Sequence, residues 1–152
     1  PRTSLQKFCS PKCLFAYPKT QERQKKASLW QMAGKNEDAA RRKADALFQQ
    51  VCKKIYPYSV VSGKPTEVIH HFVLKSQSNF LRYYIPNGIP LTNDEHDRIH
   101  RTGDQTPIIQ ATLQRGQEWL EDLESKRHIS TKLTTEYLEE IIKKMETDET
   151  GA

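Results

Sequence analysis

The stretch that decides the fold runs from Val68 to His100 and reads VIHHFVLKSQSNFLRYYIPNGIPLTNDEHDRIH. It contains four of the five histidines of the chain, which are His70, His71, His96 and His100. Asn87 lies sixteen residues after the second histidine of the first pair and nine residues before the second pair begins. Histidine binds metal ions and transfers protons near neutral pH, so this spacing is the strongest functional signal in the sequence.

The two histidine pairs predict different arrangements because they lie on different kinds of element. Residues at i and i+4 stand one turn apart on one face of a helix, so His96 and His100 can share one metal ion. Successive residues of a strand point to opposite sides. We therefore expect one of His70 and His71 to reach the ion while its neighbour stays metal-free.

Turn and cap signals predict the order strand, turn, strand, loop, helix. Gly63-Lys64-Pro65 predicts a turn between strands at 58–61 and 67–73. A capping box of the T-x-x-E kind at 92–95 starts a short helix, and Gly103 ends it. The sequence thus predicts a β-hairpin followed by a helix that carries both His96 and His100.

These residue types suit hydrolysis of a phosphodiester. A neutral imidazole with a pKa near about 6.5 can take a proton from water at physiological pH. One divalent cation can polarise the phosphoryl oxygen and stabilise the leaving oxygen. A closed structural zinc site is the alternative, but such sites normally have four ligands and often thiolates. Three histidines with an open position favour a catalytic ion.

A hairpin ending in His-His, a central asparagine and a helix with His-x3-His resemble the ββα-metal motif of HNH endonucleases, and the ligand pattern is similar to that of the DNase colicins. The resemblance implies an α+β fold with a small ββα-metal (HNH, or His-Me finger) core and flanking α-helices. It implies that the metal ligands are His70, His96 and His100. It also implies that His71 is the general base and that Asn87 fixes the loop and the base. The cofactor would be one divalent ion, Mg²⁺ or Mn²⁺ in function, with Zn²⁺ or Ni²⁺ as alternatives for the bound ion.

Further short motifs are spread along the chain: Cys9-Ser-Pro-Lys-Cys13, Asn-Phe-Leu-Arg-Tyr at 79–83 and Arg-Gly-Gln-Glu at 115–118. With a basic helical arm they resemble the phage NinG (Rap) recombination proteins, described as structure-specific endonucleases for branched recombination intermediates. The resemblance implies a DNA endonuclease acting on branched DNA in the cytoplasm of a bacterial host. A homodimer would suit the cutting of a symmetric junction. The competing function is a non-catalytic DNA-binding accessory module with a structural metal site.

Many HNH proteins of this kind hold the hairpin to the helix with a zinc ion bound by two Cys-x2-Cys pairs. At the matching positions this chain has Ser59-x2-Ser62 and Thr92-x2-Glu95, without a thiolate. Zinc disfavours such a ligand set, so we expect no structural zinc there. In place of zinc, the capping box and the apolar packing of Val60, Val61 and Ile89 are expected to hold the hairpin to the helix.

Charge is distributed unevenly, because residues 1–56 hold 13 Lys/Arg against 4 Asp/Glu, whereas residues 104–152 hold 6 against 11. A basic front half suits a polyanionic partner, since each neutralised phosphate releases counterions. A solvated helix surface is the alternative interpretation of such a run. The residues predicted to bind DNA phosphates are Lys25, Lys26, Arg41, Arg42, Lys43, Lys75 and Arg82.

Five segments are expected along the 152 residues. They are a partial zinc-knuckle-like segment (1–17), a basic helical arm (18–56), the HNH core (57–104), a helical extension (105–145) and a disordered tail (146–152). Cys9 and Cys13 would complete a zinc knuckle with two ligands from residues before Pro1, because the chain starts without Met and is expected to be a fragment. Three cysteines and no secretory signal predict reduced thiols in a cytosolic compartment. No apolar run approaches the roughly 20 residues needed to span a bilayer, so no membrane partner is expected.

The flanking helices are predicted from their apolar periodicity. A break at Gly34, with Asn36 as cap, should divide the arm, and Trp30 should pack or stack on an unpaired base. The inward stripe of the second arm helix is Ala44, Leu47, Phe48, Val51 and Ile55. After Gly103, Thr106 should cap a helix whose inner face is Ile109, Leu113, Leu120 and Leu123. A last helix, with Leu138, Ile141, Ile142 and Met145, should pack on the core or mediate dimerisation.

Overall fold

The computed structural model describes the backbone of residues 11–150 and the side chains of residues 21–147. It is a mixed α+β structure that is mostly helical, with one two-stranded antiparallel sheet in the described part of the chain. The elements are α1 (Pro11–Ile55), β1 (Val68–His71), β2 (Gly88–Leu91), α2 (Asn93–Thr102), α3 (Thr106–Arg127) and α4 (Thr135–Thr150). Backbone contacts divide the chain into two compact units, Pro1–Asp38 and Ala39–Ala152. This division falls within α1, whereas the sequence predicted a boundary after residue 56.

The sheet pairs β1 with β2, so that His70 lies opposite Ile89 and His71 opposite Gly88. The predicted pairing of β1 with a strand at 58–61 is wrong. That segment makes a tight turn, closed by hydrogen bonds from the Ser59 N–H to the Lys64 carbonyl and from the Gly63 N–H to the Ser59 carbonyl, and only one β-bridge. The physical reason is burial, because every residue of β2 is buried and suits the core better than the exposed turn does. Residues 72–87 therefore connect the two strands.

Helix α2 begins and ends where the sequence predicts. The hydroxyl of Thr92 accepts a hydrogen bond from the Glu95 N–H, and the Glu95 carboxylate accepts one from the Thr92 N–H, which completes the capping box. Gly103 ends the helix with a φ of 68°, a left-handed conformation that favours glycine. The helix has 10 residues and includes both His96 and His100.

Helix α1 runs through Gly34 without the predicted break. One glycine costs only about 1 kcal/mol relative to alanine in a helix, which is too little to end it. The inward stripe is confirmed for Ala44, Phe48 and Val51, which are buried. Ile55, the last residue of the helix, is instead exposed. Trp30 is 80% exposed among the described residues, which does not support the packing role, and stacking on an unpaired base stays a prediction.

Helix α4 packs on the core as predicted, through Leu138, Ile142 and Met145. It continues to Thr150 and so includes residues 146–150 of the tail that was predicted to be disordered; the disorder itself stays a prediction, and residues 151–152 lie outside the described part. The predicted inner face of α3 is correct at Leu123 but wrong at Ile109 and Leu113, which are exposed. Gly116 has a φ of 79° inside α3, and this interruption rotates the face that precedes it away from the face that follows. The predicted cap is also displaced, because Thr106 is the first helical residue and its N–H bonds to the Asp104 carboxylate.

The cysteines are only partly described. Cys9 lies outside the described residues, and Cys13 is described only as part of the α1 backbone, so their zinc site stays a prediction. Cys52 is a fully buried free thiol, as expected, and burial raises its pKa to about 12. Among the described helices, none combines the length and the apolar composition needed to cross a bilayer.

Candidate metal centre

Three histidines from β1 and α2 converge in the second compact unit. One ring nitrogen each of His70, His96 and His100 can be chosen so that all three atoms lie within 4.8 Å of one another. The Nε2 atoms of His96 and His100 are 3.2 Å apart. The ring centroid of His70 lies 5.4 Å from that of His96 and 5.8 Å from that of His100. The predicted convergence of these three residues is confirmed, and together they can hold a metal ion.

The geometry and the protonation of this cluster fit a cation. Two nitrogens bound to one tetrahedral zinc at about 2.0–2.1 Å lie about 3.4 Å apart, close to the separation of His96 and His100. The ring nitrogen of His70 lies within 4.8 Å of theirs. Burial, reinforced by the neighbouring histidines, lowers the pKa of His70 to about 4, so its ring is neutral at pH 7. A neutral imidazole is the form that binds a metal.

His71 turns away from the three ligands, as the alternation of a strand predicts. Its ring stacks on Phe48 of α1, with centroids 4.8 Å apart and an interplanar angle of 22°. Its Nε2 lies 2.9 Å from the carbonyl oxygen of Arg82. Because a carbonyl can only accept, Nε2 must carry the proton and Nδ1 must carry the lone pair of the neutral ring. Burial lowers the pKa of His71 to about 4 despite this hydrogen bond.

Helix α1 braces the histidine strand from the side opposite β2. The side-chain amide of Gln49 accepts a hydrogen bond from the Ile69 N–H and donates one to the Ile69 carbonyl, each at 2.9 Å. The amide thus pairs with β1 as a neighbouring strand would. Gly88 permits the close approach of these layers, because a Cβ there would lie 2.7 Å from a methyl carbon of Ile69 and 3.3 Å from the Cys52 sulfur. The role of Gln49 was not predicted from the sequence, since a glutamine beside an apolar stripe carries no signal for strand pairing.

Asn87 fixes the connection between the strands, as expected. It is fully buried, and its Oδ1 accepts a hydrogen bond from the Val73 N–H at 2.8 Å. Its Nδ2 donates to the carbonyls of Val73 and Leu81 at 3.0 and 2.9 Å. The Leu81 contact lies next to the residue whose carbonyl holds His71. Asn87 therefore shapes the segment whose Arg82 carbonyl lies against His71, through hydrogen bonds to the main chain.

Arg115 and Trp119 of α3 hold the same segment from outside. The guanidinium of Arg115 donates to the carbonyls of Pro86 and Gly88 at 2.7 and 2.8 Å, and the indole N–H of Trp119 also donates to Pro86. Arg115 lies over the rings of Tyr56 and Trp119. Arg115 belongs to the motif at 115–118, but its role was not predicted, because an arginine that bonds to main-chain carbonyls has no local signature.

A hydrogen-bonded cluster joins Ser59, Thr92 and Glu95, which lie at the positions where the sequence predicted no structural zinc. The Glu95 carboxylate accepts from the Ser59 hydroxyl at 2.5 Å and from the Thr92 N–H at 2.8 Å. Burial opposes ionisation of Glu95, but hydrogen bonds from these residues and Ser62 outweigh it and hold the Glu95 pKa below its usual value. The expected packing nearby is confirmed, because Val60 and Val61 pack against the buried cluster that contains Ile89. The role of the Ser59 hydroxyl was not predicted.

The residues predicted to bind phosphates have different surroundings. Arg82 forms a two-fold contact with Asp45, with Nε 3.0 Å from Oδ1 and Nη2 2.6 Å from Oδ2, and its side chain is 15% exposed. Lys75 is 41% exposed and lies 3.9 Å from the same carboxylate. Lys43 pairs with Glu146 at 2.8 Å. Of the others, Lys25, Lys26 and Arg42 are exposed, and Arg41 is partly buried.

The Asp45–Arg82 pair should make stability depend on pH. Burial raises the Asp45 pKa, but the hydrogen bonds from Arg82 and the charge of Lys75 outweigh it, so the folded pKa lies below the unfolded value of about 3.9. The contribution is therefore complete above about pH 4 and is lost as the pH falls through the folded pKa. Asp45→Asn should lower the free energy of unfolding at pH 7 by about 1 kcal/mol, a value reduced for partial exposure.

Urea denaturation from pH 3 to pH 8 would measure this effect. The difference in the free energy of unfolding between wild type and Asp45→Asn should become smaller below pH 4. The matched control is Glu146→Gln, which removes an exposed carboxylate that also pairs with α1 and should change stability by less than about 0.5 kcal/mol. A wild-type to Asp45→Asn difference that stays constant over this range would contradict the prediction.

An open cleft of about 460 Å³ joins the metal-binding cluster to His71. Its lining includes His70, His71, His96, His100 and Lys75. The three converging histidines, His71 and Lys75 therefore all contribute to the lining of one cleft. Comparisons with protein-family profiles, curated proteins and solved structures found no match to this chain.

Proposed function

We propose that this chain is a metal-dependent DNA endonuclease of the HNH type, in which β1, β2 and α2 correspond to the ββα-metal core. The observation that carries the proposal is the division of the four histidines. His70, His96 and His100 face one point, while His71 is held apart with its Nδ1 lone pair available. A purely structural metal site has no need of the fourth imidazole.

Different residues of the chain have different roles in the proposed hydrolysis of a phosphodiester. Nδ1 of His71 accepts the proton of the attacking water, which is favourable because the ring is neutral at pH 7. Lys75, in the same cleft, is placed to attract a phosphate. Asn87 keeps the supporting segment in place. When bound by the three histidines, a divalent cation polarises the phosphoryl oxygen and stabilises the leaving oxygen.

The substrate is proposed to be branched DNA, such as a phage recombination intermediate, because of the resemblance to the NinG proteins. The described part of the chain offers no obvious set of side chains for reading base edges, which favours recognition of DNA shape over sequence. Three imidazoles suit Zn²⁺ or Ni²⁺, whereas Mg²⁺ or Mn²⁺ is proposed as the working ion.

The test is cleavage by the purified 152-residue chain of a four-way junction and of a linear duplex with the same arm sequences. Each substrate is incubated with Mg²⁺, Mn²⁺, Zn²⁺ or Ni²⁺ and, as a control, with EDTA. The proposal expects metal-dependent nicking, with the junction cut faster than the duplex. Binding of the junction without cleavage in any of these ions would instead support the DNA-binding accessory module.

A further inference from the structure

We infer that the Asp45–Arg82 ion pair is a positioning device for His71, and that Arg82 acts through its main-chain carbonyl rather than as a phosphate contact. The inference rests on the proposed function for the purpose that His71 serves. The arrangement itself is defined by contacts among α1, the connection between the strands, and β1.

The hydrogen bond between His71 and the Arg82 carbonyl determines the tautomer of His71. Its Nε2–H donates to the Arg82 carbonyl at 2.9 Å. As long as the carbonyl stays in this place, the neutral ring keeps its proton on Nε2 and its lone pair on Nδ1. Displacing the carbonyl would remove this preference and allow the proton to occupy either nitrogen. The position of one main-chain oxygen thus decides which ring atom can accept a proton.

The Asp45–Arg82 ion pair holds the main-chain carbonyl oxygen of Arg82 in place. Arg82 lies in a single 3-10 turn, Leu81–Tyr83, within the sixteen-residue connection between β1 and β2. Its guanidinium makes two bonds to the two carboxylate oxygens of Asp45. Paired charge-assisted bonds of this kind fix orientation as well as distance. The pair therefore ties residue 82, and with it the carbonyl, to α1.

Helix α1 also determines the position of the His71 ring. Asp45, Phe48 and Gln49 are at i, i+3 and i+4, which places them on one face of a helix. Phe48 stacks on the His71 ring, and Gln49 holds the strand at Ile69. Helix α1 thus positions both the His71 ring and the Arg82 carbonyl that accepts its hydrogen bond. Loosening the Asp45–Arg82 pair should move the acceptor while the ring stays in place.

Arg82 and Lys75 differ in their access to the cleft. Both are cations near Asp45, but the Arg82 side chain is 15% exposed and the Lys75 side chain is 41% exposed. Lys75 contributes to the lining of the cleft that contains His71, and Arg82 does not. A phosphate in the cleft would meet Lys75, whereas reaching Arg82 would require breaking both bonds to Asp45.

The direct test is ¹⁵N NMR of the histidine rings in the full chain at neutral pH, without added metal. In the wild type, Nε2 of His71 should have the shift of a protonated nitrogen and Nδ1 that of an unprotonated one. Asp45→Asn and Arg82→Gln should both move the two shifts toward each other, as the tautomers mix. Lys75→Gln and Glu146→Gln should leave them unchanged. Circular dichroism of each variant checks that the fold is retained.

Steady-state cleavage of junction DNA provides the second readout. Each of Asp45→Asn and Arg82→Gln should lower kcat by at least about tenfold, because loss of the partner that holds a functional histidine has effects of this size or larger. Their KM should stay near the wild-type value. The double variant should be no slower than the slower single variant, since both changes disable one unit. Lys75→Gln should mainly raise KM.

The outcomes separate this inference from the proposed function. Unchanged ring shifts in both Asp45→Asn and Arg82→Gln would overturn the positioning role, whether or not the protein cuts DNA. The positioning role would also be overturned if Arg82→Gln mainly raised KM and if the double variant showed the product of the two single-variant effects. If the shifts change as expected but the wild type cuts no DNA, the positioning stands and the nuclease proposal fails.

Discussion

Replacing His71 with alanine is expected to slow DNA cleavage by the proposed nuclease by about 10²–10⁴-fold, the range typical for loss of a general base. The reason is that Nδ1 of His71 carries the lone pair, whereas the rings of His70, His96 and His100 face the metal position. Metal binding should be retained, because His71 is not one of the three converging ligands. The measurement is the rate of junction and plasmid nicking, with metal content determined on the same samples.

His128→Ala is the matched control for this change. His128 is 84% exposed and lies outside the cleft, so its removal should leave cleavage unaltered. Because His71 is buried against Phe48, the thermal unfolding of His71→Ala must be recorded beside its activity. A folded His71→Ala protein that cuts DNA at the wild-type rate would remove this residue from the mechanism.

Replacing His96 with alanine is expected to weaken the binding of Zn²⁺ or Ni²⁺ by more than about 100-fold, because even partners outside the ligand set change affinity by 10–100-fold. Two imidazoles would remain, one from β1 and one from α2. His96 is only partly buried, so the apo protein should remain folded. Isothermal titration calorimetry of the metal-free chain measures the affinity directly.

Thermal unfolding gives an independent measure of the same site. A metal at about 100 times its dissociation constant stabilises a protein by about 2.7 kcal/mol, so the wild type should lose this increment on addition of EDTA. His96→Ala should show little stabilisation by the same metal concentration and little effect of EDTA, whereas His128→Ala should behave as the wild type. Equal metal affinity in wild type and His96→Ala would show that the three histidines do not share an ion.

The features that local periodicity controls were predicted correctly. The i, i+4 spacing placed His96 and His100 on one face of α2, and the alternation of a strand separated His70 from His71. The capping box at Thr92 and the glycine at 103 defined both ends of α2. These predictions needed only the geometry of one helical turn or one strand, so nearby residues contained all the necessary information.

Two local predictions failed, because one glycine costs too little to break α1 at Gly34 and because the Asp104 carboxylate, rather than Thr106, precedes α3 as the acceptor of the first N–H. Other predictions failed because they depended on distant partners. The strand opposite β1 is Gly88–Leu91, because its fully buried residues complete the core, although the segment 58–61 is nearer in sequence. In α3, the conformation of Gly116 changed which residues face inward, so Ile109 is exposed despite its favourable spacing. In both cases the position of another layer, rather than local propensity, determined which face is buried.

The sequence by itself determined that His96 and His100 share one face of α2 and that His70 and His71 point to opposite sides of β1, since spacing along a helix or a strand dictates which side chains share a side. The choice between His70 and His71 was implied only by the resemblance, and the tertiary structure decides it by bringing His70 to the helix pair and leaving His71 as a separate fourth imidazole. Only the tertiary structure decided how that fourth imidazole is held, because its partners come from residues far away in the chain. Phe48 stacks on His71, and Asp45 bonds to Arg82, whose carbonyl accepts the ring proton. No periodic pattern in the sequence indicates such contacts, because they form only when packing brings α1 against the connection between the strands.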